Sequence, residues 1–192
     1  MGRAFLGMTG NSRNRVLSTI VICEDLPARH SGRDLAEVLA RTLASLVPAK
    51  VEGLLGDVRI AGPARKDLNL VANHAGCALI EAENAMDCIS LALRAARGPD
   101  VFLLRCGRAP EAGFIEEAAD FLAKNTSDRS RAAHLRAAPE SFLERVFPAL
   151  APIAGLIANR DLMLRAPRGG FLDLAGFVAP STLLRTRARR IG

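Results

Sequence analysis

From residue 15 to residue 125 the chain alternates short apolar runs with amphipathic stretches, and that alternation restricts the fold more than any other feature. "RVLSTIVIC" (15–23) is apolar, rich in β-branched residues and without a two-residue period, as in a strand buried on both faces. Leu35, Val38, Leu39, Leu43 and Leu46 then recur at helical spacing, with Ser31 placed to cap the helix and Pro48 to close it. "GDVRIAG" (56–62) predicts a second strand, "KDLNLVANHAG" (66–76) a short helix ending on Gly76, and "CALIE" (77–81) a third strand. Asn84 caps a further helix carrying Ile89, Ala92, Leu93 and Ala96 on one face, with Gly98 as its stop. "VFLL" (101–104) is a fourth strand, and residues 113–124 are helical again. Strands separated by helices mean right-handed crossovers. The expectation is a single α/β, Rossmann-like domain with a mainly parallel central sheet and helices on both faces.

In such sheets ligands bind beyond the carboxyl ends of the strands. Those ends carry Glu24 and Asp25, Gly62, Glu81, and Arg105, Cys106 and Gly107. A dinucleotide fold needs G-x-G-x-x-G after the first strand so that backbone can approach pyrophosphate; the chain has "CEDLPARHSG" there. A phosphate-binding G-x-x-x-x-G-K-[ST] loop is excluded too, since no Lys-Ser or Lys-Thr pair exists in the sequence.

Four segments carry a family resemblance: "LARTLASLVPAKVEGLLGDVRIAG" (39–62), "ANHAGC" (72–77), "ALRAARGPDVFLLR" (92–105) and "EAGFIEEAADFLA" (111–123). In order and spacing they resemble the nucleotide-binding half of family 2 glycosyltransferases, which have the GT-A fold, over residues 15–125. "AGLIANRDLML" (154–164) resembles the strand and short helix near the acceptor site of such enzymes. The resemblance implies a nucleotide-sugar ligand, an acidic contact to the nucleotide at Glu24 or Asp25, and a divalent cation on an Asp-x-Asp motif.

The departures fall on the chemistry. The family's Asp-Gly-Gly-Ser-Thr-Asp turn aligns with residues 62–67, so Gly62 stands for the first acid and only Asp67 survives. The Asp-x-Asp motif aligns with Arg105, Cys106 and Gly107, which offer a hard cation no carboxylate oxygen; Glu111 is one acid four residues on. No metal cofactor is expected. Arg105 either takes the place of the metal by pairing with phosphate, leaving a metal-independent transferase, or marks a degraded site in a binding or scaffolding module of envelope polysaccharide or glycolipid assembly. Cys106 is a candidate nucleophile or an inert buried thiol. Without tryptophan the family's Gln-x-x-Arg-Trp signature is absent, which argues against a processive polymerase.

Net charge is +6, with arginines concentrated at Arg13 and Arg15, at 129–136, and in "LLRTRARRIG". Such clusters suit an anionic membrane surface or nucleic acid, but with neither tyrosine nor tryptophan the stacking platforms of single-strand binders are poorly supplied. The four cysteines show no CxxC spacing, and no apolar run has the length of a membrane span. A cytoplasmic protein, peripheral at the inner face of the membrane, is therefore expected. Residues 1–14 are read as a basic leader, 15–125 as the nucleotide-binding core, 126–179 as an extension packing on it, and 180–192 as a basic tail. In the extension, "PESFLERVFPAL" (139–150) predicts an amphipathic helix laid on the sheet. Arg185, Arg187, Arg189 and Arg190 of the tail are candidates for contact with an anionic surface.

Overall fold

A computed structural model describes residues 16–23, 32–124, 130–167, 169–178 and 182–191. Strands β1 (Leu17–Ile22), β2 (Leu55–Gly62), β3 (Ala78–Glu81) and β4 (Asp100–Arg105) alternate with helices α1 (Gly32–Val51), α2 (Lys66–Ala75) and α3 (Ala85–Ala95). After β5 (Arg108–Pro110) come α4 (Phe114–Lys124), β6 (Ala132–Ala137), α5 (Phe142–Val146), a 3-10 turn (Pro148–Leu150), β7 (Ile153–Asn159), α6 (Arg160–Met163), α7 (Phe171–Phe177) and β8 (Thr182–Arg190). Together the strands form one sheet in the order β3-β2-β1-β4-β7-β6-β8-β5.

The four strands expected to be parallel are so: β2 and β4 flank β1, and β3 lies outside β2. Beyond β4 the sheet is mixed, which corrects the expectation of a mainly parallel one. β7 runs antiparallel to both β4 and β6, β8 is parallel to β6, and β5 is antiparallel to β8. The link from β6 to β7 runs through α5, which stays exposed and does not cross a face of the sheet, and β7 returns antiparallel beside β6. Two residues separate β4 from β5, yet β5 lies at the far edge of the strand order, so the sheet curls until that edge returns to the end of β4. One face is covered by α1, α2 and α4, packing Leu35, Leu39, Leu46, Leu68, Phe114 and Phe121 on Leu17, Val21, Phe102 and Leu104. The other face carries α3, α6 and α7, with Ile89, Leu93, Met163, Phe171 and Leu174 on Ile20, Ile22, Val101 and Leu103.

Local signals succeed where one residue type decides. Gly76 ends α2 at φ 65, and the Asn84 side chain accepts the Asp87 N–H at the start of α3. Pro48 does not close its helix; α1 continues to Val51, and the Pro48 carbonyl accepts the Glu52 N–H. The arginine-rich stretch at 129–136 runs into β6, whose Ala132, Ala133, Leu135 and Ala137 are fully buried. Residues 182–190, expected to be a basic tail, are β8, with Leu184 and Ala188 in the core. Helix α5 does not lie on the sheet: Phe142, Leu143, Val146, Phe147 and Leu150 are between 50% and 75% exposed. The segment after Pro167 packs on the sheet through Phe171, Leu174 and Ala175 of α7.

Candidate functional site

At the carboxyl end of β4 the chain divides its residues between the two faces. Val101 and Leu103 belong to the α3 side and Phe102 and Leu104 to the α1 side, so alternation directs Arg105 toward the first and Cys106 toward the second. The Cys106 N–H continues the sheet ladder to the Ile22 carbonyl at 2.8 Å. Gly107 then turns the chain into β5 at φ 83, a conformation that favours glycine. Its N–H donates to Thr42 Oγ1 at 3.0 Å, and Thr42, fully buried on α1, donates to the Val38 carbonyl at 2.7 Å. Gly107 in turn accepts the Ile191 N–H at 2.9 Å.

Cys23, directly after β1, faces Cys106 across the β1–β4 ladder. A hydrogen bond from the Cys23 thiol lowers the Cys106 pKa against the opposing effect of burial, helped by Thr42 and by the Gly107 N–H. Contact with the Cys106 sulfur, together with burial, holds Cys23 well above the ordinary thiol range. Cys106 is thus the more acidic of the pair. Cys88, on α3, donates its thiol to the Gly62 carbonyl at 3.1 Å.

Gly62 lies in the same cluster, but as packed backbone: an added Cβ would meet Cys23 Cβ at 3.0 Å and Leu68 Cδ1 at 3.1 Å. A carboxylate could enter there only if those neighbours yielded. Asp67 is engaged locally, receiving Arg65 Nε at 3.0 Å and Nη2 at 2.9 Å and the Leu68 N–H at 3.1 Å. Glu111 follows β5, and its backbone N–H binds the Arg187 carbonyl of β8 at 2.9 Å. Glu24 and Asp25 lie outside the described residues. Among the described residues no group of three His, Cys, Asp or Glu side chains is placed to hold a metal ion. A guanidinium, a thiol and a glycine at the turn do not fit a hard divalent cation.

A cavity of about 180 Å³ opens beside this cluster, lined by Ile22, Ala61, Gly62, Pro63, Ala82, Glu83, Asn84 and Cys88 at the carboxyl ends of β1, β2 and β3. The larger groove, about 870 Å³ between α1 and α2, lies over the opposite end of β2 and is remote from the turn.

The strand that carries these arginines is built into the fold. The Arg185 and Thr186 N–H groups are held by the Glu117 carboxylate at 2.7 and 2.9 Å, and Arg190 converges with Arg108 on Glu140. Arg187 is half-buried, and Arg189 is exposed. Sequence reasoning passed over Thr42 as one more position on α1. Its signal was a hydroxyl inside an otherwise apolar helical face, "LARTLASL".

No protein-family model and no curated protein matches the chain. Solved structures do. Glucosyl-3-phosphoglycerate synthase from Mycobacterium tuberculosis, in complex with Mn2+, uridine diphosphate and glucosyl-3-phosphoglycerate, superposes with a TM-score of 0.63 at 12% identity, covering 94% of this chain and 73% of that one. The same synthase with phosphoglyceric acid gives 0.62 at 14% identity, with the same coverage. A mycobacterial protein gives 0.61 at 15% identity, covering 93% of this chain and 65% of that one. The likeness defines the class of architecture: a GT-A glycosyltransferase fold. At these identities it is the fold that is shared.

Proposed function

We propose that this chain is a nucleotide-sugar-binding relative of family 2 glycosyltransferases whose divalent-metal site has been lost, and that it serves as a binding or scaffolding module in envelope polysaccharide or glycolipid assembly. The observation that carries the reading is the Arg105-Cys106-Gly107 turn, which puts no carboxylate at the end of β4 and is locked in place by Thr42. The synthase neighbours, solved with Mn2+ and uridine diphosphate, support a nucleoside diphosphate as the ligand class. A second reading keeps activity: Arg105, at the strand end, pairs with the diphosphate and replaces the cation in a metal-independent transfer. Peripheral association with an anionic membrane is part of the proposal. Its support is the exposed apolar stripe of α5, with Arg145 on the same helix, and not a free basic tail. No helix among the described residues is long and apolar enough to cross a membrane.

The test is thermal unfolding with nucleoside diphosphate sugars, with and without manganese. Ligand at a hundred times its Kd stabilises the folded state by about 2.7 kcal/mol. The expected result is a rise in Tm with nucleotide sugar that manganese does not enlarge, and a manganese-dependent rise only in the double variant Arg105→Asp with Gly107→Asp. A wild-type response to manganese at micromolar concentration overturns the degraded-site reading. Sugar transfer without metal, abolished in Arg105→Gln, selects the second reading.

A further inference from the structure

Arg136 of β6 and Arg187 of β8 are direct partners in the parallel pairing of those strands. Ala133, Leu135 and Ala137 on β6, and Leu184 and Ala188 on β8, belong to the core beneath α1 and α4, so both arginines project from the opposite face. Neighbouring strands are about 4.8 Å apart, which sets two cations side by side. Elsewhere on this sheet arginines find an acid: Arg59 pairs with Asp57, and Arg108 and Arg190 with Glu140. This pair makes no ion pair among the described residues; the acid next to it in register is Glu111, whose N–H binds the Arg187 carbonyl, and one carboxylate leaves two guanidinium groups with a net positive charge. Arg136 Nη1 donates to the carbonyls of Ala149 and Ala151, the latter at 2.7 Å, while Arg136 Nε and Arg187 Nη1 are buried without any acceptor. His134, two residues back on β6, adds no compensating charge: burial lowers its pKa, and Arg136 lowers it further.

Like charges directly across a ladder are destabilising, and buried N–H groups without acceptors are rarely kept. Both features are accounted for if the missing acceptor and charge arrive with a ligand. We infer that Arg136 and Arg187 form an anion-binding pair that takes a phosphoryl or carboxylate group, through the forked geometry that guanidinium groups offer such oxyanions. Both side chains are half-buried, so an anion reaches their open edges. The place is distinct from the Cys23–Cys106 cluster: β4 and β7 lie between β1 and β6, a lateral offset of roughly 14 Å. Register nevertheless puts it at the same end of the sheet, since Leu104 and Leu135 both pair with Gly155. A second, anionic ligand thus lies beside the one assigned to the β1–β4 end. The inference rests on the unpaired arginines and stands whether or not a nucleotide binds there.

The full chain is titrated with inorganic phosphate against sodium chloride at equal ionic strength, following Tm, and retention on phosphatidic-acid vesicles is measured beside it. Phosphate should raise Tm beyond the chloride control if the ligand is soluble, and the vesicles should retain the protein if the phosphate belongs to a lipid. In either case Arg187→Gln weakens the effect at least tenfold, while Arg41→Gln, an exposed substitution on α1, leaves it intact. Unliganded Arg187→Gln should melt no lower than wild type, because removing one of two adjacent cations relieves their repulsion; a lower Tm would mark Arg187 as structural and overturn the inference. It is also overturned if neither phosphate source gives an effect, if Arg187→Gln keeps the response, or if Arg41→Gln loses as much. Uridine diphosphate binding by Arg187→Gln separates the two sites. Retained binding supports the inference, and its loss together with the phosphate response places the phosphate in the nucleotide site and sinks it. Absent nucleotide binding with an intact phosphate response counts against the nucleotide reading alone.

Discussion

The N–H of Gly107 reaches 3.0 Å to the buried Oγ1 of Thr42, joining the turn after β4 to the middle of α1. This contact ties the turn that carries Arg105 and Cys106 to a buried residue of the helix.

Thr42→Val keeps the shape of the residue and removes the acceptor. It should cost about 1–3 kcal/mol, the range for a buried donor left unmade, with Thr42→Ser recovering most of it. Gly107→Ala should cost about 1–2 kcal/mol, since the left-handed conformation at φ 83 suits no other residue so well. Urea denaturation reads both; a Thr42→Val variant as stable as wild type would show that water replaces the hydroxyl.

Alkylation should discriminate among the thiols. Cys106 is half-buried with its pKa lowered by the Cys23 thiol, whereas contact with Cys106, and then burial, raises Cys23, and burial raises Cys77. Because the thiolate is the reacting form, mass spectrometry of the native protein with iodoacetamide near neutral pH should find Cys106 modified first. Cys77 should follow, with Cys23 and Cys88 modified only on unfolding. Faster labelling of Cys77 would contradict the assigned acidity.

Glu117 makes stability depend on acid. Burial alone would raise its pKa, but the N–H groups of Arg185 and Thr186 and the Thr186 hydroxyl outweigh burial and bring it below the ordinary carboxylate value. A group depressed in the folded state contributes stability that is full above its unfolded pKa, about 4.3, and lost as pH falls through the folded value. Glu117→Gln should therefore cost about 1 kcal/mol at pH 7, allowing for partial exposure. The gap from wild type should close at acid pH, as followed by Tm between pH 2 and 7.

Two changes separate anchoring from folding. Deleting residues 180–192 removes β8, the strand that pairs with both β6 and β5, and should abolish cooperative unfolding. Phe142→Ser with Phe147→Ser touches only exposed side chains and should shift stability by no more than about 0.5 kcal/mol. It should reduce partition onto anionic vesicles on the order of 100-fold, if each ring buries in the interface at about 1.5 kcal/mol or more. Unchanged partition would remove α5 from the membrane proposal.

The parallel half of the sheet was legible because β1 and β4 are long, β-branched or aliphatic runs buried on both faces, and because Asn84 and Gly76 punctuate the helices between them. The antiparallel half was not. β6 fills its buried positions mostly with alanine, a poor strand former, and β8 alternates arginine with small residues, so the first shows no strand signal and the second reads as a basic tail. α5 shows the limit of periodicity: the spacing of Phe142, Val146 and Leu150 names an apolar face without saying what covers it. At the site, the loss of carboxylates from residues 105–107 was visible directly in the sequence. The packing of Gly62 against Cys23 and the pairing of Arg136 with Arg187 needed the strand register.

The placement of β8 bears on how the protein comes into being. Synthesis proceeds from the N-terminus, and β1 to β4 with their helices can collapse as soon as they have left the ribosome. β5 cannot: its ladder partners Ala188 to Arg190 lie far downstream on β8, and β6, made later, waits for the same strand. During that interval the nascent chain presents bare strand edges to its surroundings. The segment from 182 to 190 is therefore what covers those edges, and a ribosome stalled before it leaves a client for chaperones.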